Sequence, residues 1–491
     1  MMLRIFFGVF TTLLLNNCSN KNTVSQLDLD VLAQVGNKII TKQDFMRRAE
    51  YTIRPDYCRQ SNYIHKKIIL NSLIAEKLTA LEMEDKEDEL LGSKNFHYFL
   101  KGRKEQAMRK LYYYDNFYNK VSVPDSLIKK RFKLAGRTVD ISYIRLPDLI
   151  FVQKVNDLLL KNISLEEIYD SIWGKDLPNK KINFFDKEPK AIFSKLFESP
   201  IYKNQIIGPF ENEDGSFLLM RVNGWSDKKF ISTVDQKKTW DDVKDLIKED
   251  LAKSSYIKFV EEIMSGHEMA FNSDIFDQYA YKASKTYLQD PVEKKEAINK
   301  LLWEEIENPK TISFQNDANV GPDDIILNYN GEDITVGKLN RLIKSHPLVF
   351  RKRKISEGKF RQELKFAIAD LMRDLEINKK CYGKNLHTDV RVSTNVDMWD
   401  DAYSSKRYLS HVTNKSNLQK GKKHRLENGI IDSLQNKYSN IIKINTDMFE
   451  KIEITSTDML VTERGLPYPF IVPSFPIITS DDKLDYGSKM N

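Results

Sequence analysis

Histidine and cysteine carry much of the chemistry open to a protein at neutral pH, and here both are sparse. The 491 residues include 7 histidines (His65, His97, His267, His346, His387, His411 and His424) and 3 cysteines. His267 and Glu268 begin an H-E pair, but the second His that would complete a zinc-binding H-E-x-x-H is missing. No phosphate-cradling P-loop, G-x-G-x-x-G turn or G-x-S-x-G nucleophile turn occurs. Metal and nucleotide chemistry have no support, and no cofactor is expected. Three cysteines are too few for a disulfide scaffold or a Cys-rich zinc module. Cys58 and Cys381 could pair in an oxidising compartment or stay as free buried thiols, and the sequence leaves both open.

Charge narrows the partners. The 77 Lys+Arg against 70 Asp+Glu leave a net charge of +7, a mild excess for so long a chain, and nucleic acid is not an expected partner. The basic runs Arg351–Lys354 and Lys420–Arg425 read as solvated faces. The amino terminus speaks to compartment. Met1–Arg4 is a short positive region, and Ile5–Leu15 is an apolar run too short to span a bilayer. It ends at Leu15-Asn16-Asn17-Cys18, which resembles a bacterial lipoprotein lipobox with Cys18 as the lipidated residue. A periplasmic protein, held by its lipid to the inner or outer membrane, is the expectation.

The elements that would position any site come from comparing the chain with itself. Val31–Val35 leads through Gly36-Asn37 to Ile40-Thr41 and Phe45; Ile325–Tyr329 leads through Asn330-Gly331 to Ile334-Thr335 and Leu339. The offset is 294 (334 − 40), and it also lays Ile74, Ala75, Leu78 and Leu81 on Ile368, Ala369, Met372 and Leu375. Each copy reads as a hairpin with an Asn/Gly turn, a Thr-capped helix and a longer amphipathic helix. Between the copies, strand Asp140–Leu146, helices Ser164–Ile172 and Ile192–Phe197, and strand Phe217–Val222 suggest a small α+β domain. A long helix is expected from Thr239 to Met264, a linker at Asn308–Pro322, a Lys-rich solvated loop at Asn414–Asn428 and a helix at Ile430–Lys437. The tail after Pro467 lies extended on another surface or is loose. Tyr112, Tyr113, Tyr114, Phe117 and Tyr118 read as packing aromatics rather than a binding platform.

This order resembles that of exported SurA-like and PrsA-like foldases. Val31–Phe45 is similar to their opening hairpin, and Val123–Phe132 to the helix that leads into their parvulin-type prolyl isomerase domain. Residues 139–225 are similar to that domain itself, best at Leu196-Phe197, Ile207-Gly208-Pro209 and Leu219–Val222. The resemblance implies a multidomain α+β chain in which duplicated, mainly helical chaperone-like modules flank a small parvulin-like domain. Its segments would be 1–18 signal and lipobox, 28–135 first module, 137–226 parvulin-like domain, 236–306 connecting helices, 320–390 second module, and 391–491 C-terminal helix and extended tail.

Active parvulins place facing histidines on their first and last strands beneath a prolyl pocket. By resemblance those positions fall on Tyr143 and on Leu218 or Phe217, and no histidine lies in the whole segment. Ser171, Ile172 and Asp176 compete for the place of the family's Cys or Asp, and Glu188 and Ile192 align with its apolar pocket. Prolyl isomerisation needs no nucleophile; the barrier of about 18–20 kcal/mol falls only if the twisted amide is bound better than the planar one. Without the imidazoles no catalytic residue is assigned, while Tyr143, Ile192, Phe197, Phe217 and Leu218 remain as a peptide-binding set. The resulting expectation is a lipid-anchored chaperone or foldase for unfolded or nascent envelope polypeptides, with a silent parvulin domain. The alternatives are an active isomerase and a structural lipoprotein subunit of an envelope complex. Oligomeric state is not legible.

Overall fold

The computed structural model describes residues 30–186, 188–212, 215–287, 320–346, 357–413, 420–455 and 471–490. The expected signal segment with Cys18, the basic run 351–354 and the 308–319 stretch of the expected linker lie outside them. The chain is an α+β protein, mainly helical with small sheets, and it divides into two compact units. One unit takes 1–86, 400–459 and 472–491; the other takes 87–399 and 460–471. The segments expected from chain order are thus regrouped in space.

The first unit opens with β1 (Val31–Val35), β2 (Lys38–Thr41), α1 (Lys42–Glu50) and α2 (Tyr63–Glu84). Gly36 turns the hairpin at φ +61°, a left-handed conformation that costs glycine little. Thr41 ends β2 and caps α1, its Oγ1 accepting from the Asp44 N–H at 3.0 Å.

The second unit repeats this local build. It contains β8 (Ile325–Tyr329), β9 (Glu332–Thr335), α10 (Val336–Ser345) and α11 (Glu357–Gly383). The offset of 294 (335 − 41) brings Thr335 onto Thr41 as the cap of α10, accepting from Lys338 N–H at 3.2 Å. It carries the turn as well, with Asn330 at φ +52°. Even the ladder irregularity repeats, between Val31 and Ala33 in one copy and between Ile325 and Leu327 in the other. Lys42 N–H donates to Asp30 O at 2.7 Å, and Val336 N–H to Asp324 O at 2.9 Å.

Each hairpin is completed by a third strand and a helix, and these too are copies. In the first unit β10 (Ile442–Ile444) pairs with β1, and α14 (Thr446–Glu450) follows. In the second, β7 (Met269–Phe271) pairs with β8, and α9 (Ser273–Tyr287) follows. Their offset is 173 (442 − 269), and it holds in detail. Asn445 N–H donates to Leu32 O at 2.9 Å and Asn272 N–H to Ile326 O at 3.0 Å. Each asparagine then opens its helix, and each helix buries a phenylalanine four residues on, Phe449 and Phe276.

The exchange is reciprocal. The closing segment that follows the first hairpin in the chain, β7–α9, completes the second hairpin; the segment after the second hairpin, β10–α14, completes the first. The preceding helices obey the same offset, α8 (Thr233–Met264) ending at 264 and α13 (Lys420–Lys437) at 437 (437 − 264 = 173). Helix α13 contains the helix expected at 430–437 and replaces the solvated loop expected before it over 420–428, 414–419 lying outside the described residues; Glu427, Ile431 and Leu434 are buried.

Within the second unit, α3 (Lys94–Tyr113) meets α8 and α11 in an aromatic core. Tyr112 stacks on Phe259 with centroids 5.4 Å apart, and Tyr113 meets Tyr256 edge-on at 5.1 Å. These aromatics pack, as their spacing indicates. Then α4 (Asp125–Phe132) leads into the small α+β domain: β3 (Arg137–Leu146), α5 (Leu149–Leu160), α6 (Leu165–Trp173), β4 (Asn179–Asn183), α7 (Lys190–Phe193), β5 (Ile206–Glu211) and β6 (Phe217–Asp227). Its antiparallel sheet runs β4-β3-β6-β5. The remaining helix, α12 (Val390–Thr413), contributes its residues from Asp400 to the first unit. No described helix is long and apolar enough to cross a membrane. Cys58 and Cys381 are both free and buried, and burial pushes each thiol up to about 12.

Candidate functional site

Strand alternation decides what the sheet domain offers. On β3 and β6 the residues Ile141, Tyr143, Leu218, Met220 and Val222 share one face, because Tyr143 sits opposite Met220 and Leu218 opposite Arg145. Tyr143 and Leu218 are therefore diagonal neighbours, both half-buried against the core that α7 and the turn after it complete. Ile192 and Phe197 lie in that core at 2% exposure, leaving no side-chain surface for a peptide. Phe217 was grouped with Leu218 in the sequence, yet one residue of shift turns it to the opposite face, under α5 and α6 with Ile144, Leu146 and Leu219. Ser171 lies on α6, which covers that opposite face, and bonds back to Ile168 O at 2.8 Å. Glu188 is tied to Lys180. The Tyr143 face thus presents a phenol and an isobutyl group and no imidazole.

A second arrangement is more explicit. In the first unit the tail, Val472–Met490, runs extended across α2 and ends by adding β11 (Ser488–Lys489) parallel to β10. Side chains of the module capture its main-chain carbonyls. Arg48 Nη2 donates to Ser474 O at 2.8 Å, Ser72 Oγ to Thr479 O at 3.3 Å, and Asn71 Nδ2 to Asp481 O at 2.7 Å. Lys406 Nζ donates to Ser474 Oγ at 3.2 Å, and Lys67 pairs with Asp482 at 3.3 Å. Between these bonds Phe475, Ile478 and Thr479 sink into the surface. Nearby, Lys66 Nζ donates to Phe449 O at the end of α14 and to Ile452 O just beyond it, and Arg54 Nη2 to Thr455 O at 3.0 Å. Bonds to carbonyls read no side-chain identity, and pockets for alternate residues add apolar contact.

The groove is built from buried charge. Arg48 forks onto Glu76 at 2.9 and 2.8 Å while reaching the tail, so one guanidinium both satisfies a buried carboxylate and binds the strap. These residues have different counterparts in the second copy: Arg48, Asn71 and Ser72 become Leu342, Lys365 and Phe366 (offset 294, 366 − 72). Ser72 is fully buried under the strap, whereas Phe366 is 54% exposed. The same helix position is occupied in one copy and open in the other. Sequence reading missed the groove because its polar residues are spread over α1, α2 and α12 with no motif spacing; the one signal was the Pro-rich tail.

No protein-family profile matches the chain, and no curated protein does. Among solved structures, the foldase protein PrsA of Streptococcus pneumoniae aligns at 13% identity over 45% of this chain and 91% of that one, with a TM-score of 0.18. PrsA of Bacillus subtilis aligns at 15% identity over 47% and 91%, with a TM-score of 0.15. Scores this low do not establish a shared fold, so the functional reading stands on the chain's own geometry.

Proposed function

We propose that this protein is a chaperone of the foldase type that holds extended segments of non-native polypeptide on its duplicated helical modules. One observation carries the reading: a module already holds an extended chain, its own tail, through donors to main-chain carbonyls and through buried apolar residues. A surface that reads backbone rather than sequence suits many clients. The open counterpart around Phe366 is the site assigned to clients in the second unit. Exposed apolar runs on the sheet domain, Leu149-Ile150-Phe151 on α5 and Ile172-Trp173 on α6, extend the contact surface.

In this reading the sheet domain is a spacer or secondary contact surface without isomerase activity, because its Tyr143 face lacks imidazole and thiol groups. Lipidation at Cys18 would hold the chain to an envelope membrane beside unfolded or nascent envelope polypeptides. The test is suppression of aggregation of an unfolded outer-membrane β-barrel by residues 20–491. Suppression that weakens several-fold in Phe366→Ser is expected; no suppression at several-fold excess overturns the proposal.

A further inference from the structure

A small open cavity in the second unit belongs neither to the sheet face nor to the strap groove. It has a volume of about 150 Å³ and lies where α3 meets α10 and α11. Gly102 makes the meeting possible: a Cβ there would fall 1.5 Å from Ser345 O, so any other residue would force α3 away from the end of α10. Leu342, Leu371 and Leu375 form the apolar wall. Four cations line it: Lys101 pairs with Glu105, Lys338 with Glu332 and Arg109 with Asp374, while Arg341 has no ion pair among the described residues. Glu105 is already engaged, accepting from Asn378 Nδ2 at 3.0 Å and Tyr382 Oη at 3.1 Å with Lys101 at 3.8 Å. The exposed Arg341 guanidinium is therefore the charge at the cavity left without a carboxylate among the described residues.

Arg109 sharpens this. Its side chain is 1% exposed, and Nη1 donates to Asn378 Oδ1 at 2.7 Å. Nε lies 3.5 Å from Asp374 Oδ2, and it has no hydrogen-bond acceptor among the described residues. His346 Nε2 lies 2.8 Å from the same Asp374 oxygen. Burial lowers the imidazole's pKa against the pull of Asp374, so the ring is neutral at pH 7 and its Nε2 proton goes to that carboxylate. Arg109 Nη2, 3.3 Å from Nε2, then finds no acceptor there. Asp374 itself opposes burial with Arg109, the His346 hydrogen bond and Arg373, which hold it well below the usual carboxylate range. A buried guanidinium with N–H groups to spare thus forms part of the wall of an apolar pocket.

We infer that this cavity binds a carboxylate attached to a small branched apolar body, either a free short-chain acid or the C-terminal residue of a polypeptide. The carboxylate accepts from Arg109 and Arg341, and the apolar body lies against the leucines. A cavity of this size accommodates a group of roughly benzene dimensions, which a leucine side chain matches. Inorganic phosphate would leave the leucine wall uncovered.

Residues 20–491 are titrated with N-acetyl-leucine, N-acetyl-leucinamide and 4-methylpentanoate by ligand-observed saturation-transfer NMR and calorimetry. N-acetyl-leucine is expected to bind, and the amide to bind about tenfold more weakly, a difference of about 1.4 kcal/mol. N-acetyl-leucine far above 4-methylpentanoate marks a polypeptide C-terminus as the ligand; equal binding marks the free acid. Arg341→Glu, at an exposed position, is expected to weaken both acids about tenfold at an unchanged melting temperature. Lys101→Glu serves as the second variant if that one melts early. Equal binding of acid and amide, no saturable binding up to about 10 mM, or variants that bind the acid like the parent would overturn the inference.

Discussion

Arg48 concentrates the logic of the first module in one side chain. Its fork onto Glu76 is almost fully buried, and its second Nη2 bond fixes the strap at Ser474. Arg48→Met would leave Glu76 uncompensated in the interior, at a cost of about 3–5 kcal/mol by urea denaturation, with Arg48→Met/Glu76→Met recovering much of it. Lys406, which also reaches Ser474, is pushed down to about 8 chiefly by burial, with Glu76 opposing and Arg48 assisting. Its folded value lies below the ordinary 10.5. Below pH 8 both folded and unfolded chains carry the charge and the burial cost stands in full. As pH rises from 8 toward 10.5 the unfolded chain holds more protons and this group's contribution to stability climbs. Lys406→Met is therefore expected to exceed the parent at pH 7 by on the order of 1–3 kcal/mol, with the gain shrinking toward pH 10. Urea curves at both pH values check it, and a pH-independent gain contradicts it.

At the scale of elements, the two copies share their local determinants and differ in what covers them. Thr41→Ala and Thr335→Ala each remove an Oγ1 that accepts from the first turn of a helix, and each is expected to cost about 1 kcal/mol by chemical denaturation. A cap that proved silent in one copy alone would show that the copies do not use the threonine alike. The hairpins were legible because turn residues, Thr caps and apolar alternation all agree at one offset. Strand β4 was not, since in Asn-Lys-Lys-Ile-Asn only Ile182 is buried, as suits an edge strand. Of helix α13 only Ile430–Lys437 was legible, because its Lys-rich opening hides the periodicity of the residues that pack later. The closing strands β7 and β10 have three residues each, too short for any periodicity, so the exchange between copies was invisible in the sequence. At the sheet face Tyr143 and Leu218 were placed side by side by the resemblance alone; assigning Phe217 to the same face failed on alternation. The strap appeared only as a choice between an extended tail and a loose one.

For the whole molecule the reciprocal exchange has a mechanical consequence. Each hairpin is closed by a strand from the other half of the chain, β10 on β1 and β7 on β8. Cleavage at a protease site placed between residues 288 and 319 is expected to leave the two halves bound through both sheets, eluting together on size exclusion until denaturant is added. Separation in native buffer would show that the exchanged strands do not hold. The absence of imidazole from residues 137–227 predicts a second whole-protein property. Isomerisation of a proline tetrapeptide should run at the uncatalysed rate, and acceleration abolished by Tyr143→Ala would assign the sheet domain a catalytic role.

Whether the modules hold extended chains is tested most directly by a photo-reactive phenylalanine analogue at position 366, the open counterpart of the strapped helix position. Irradiation is expected to cross-link an unfolded outer-membrane protein and to leave the same protein untouched once folded. Equal cross-linking of both forms, or of neither, would contradict capture of non-native polypeptide at this face.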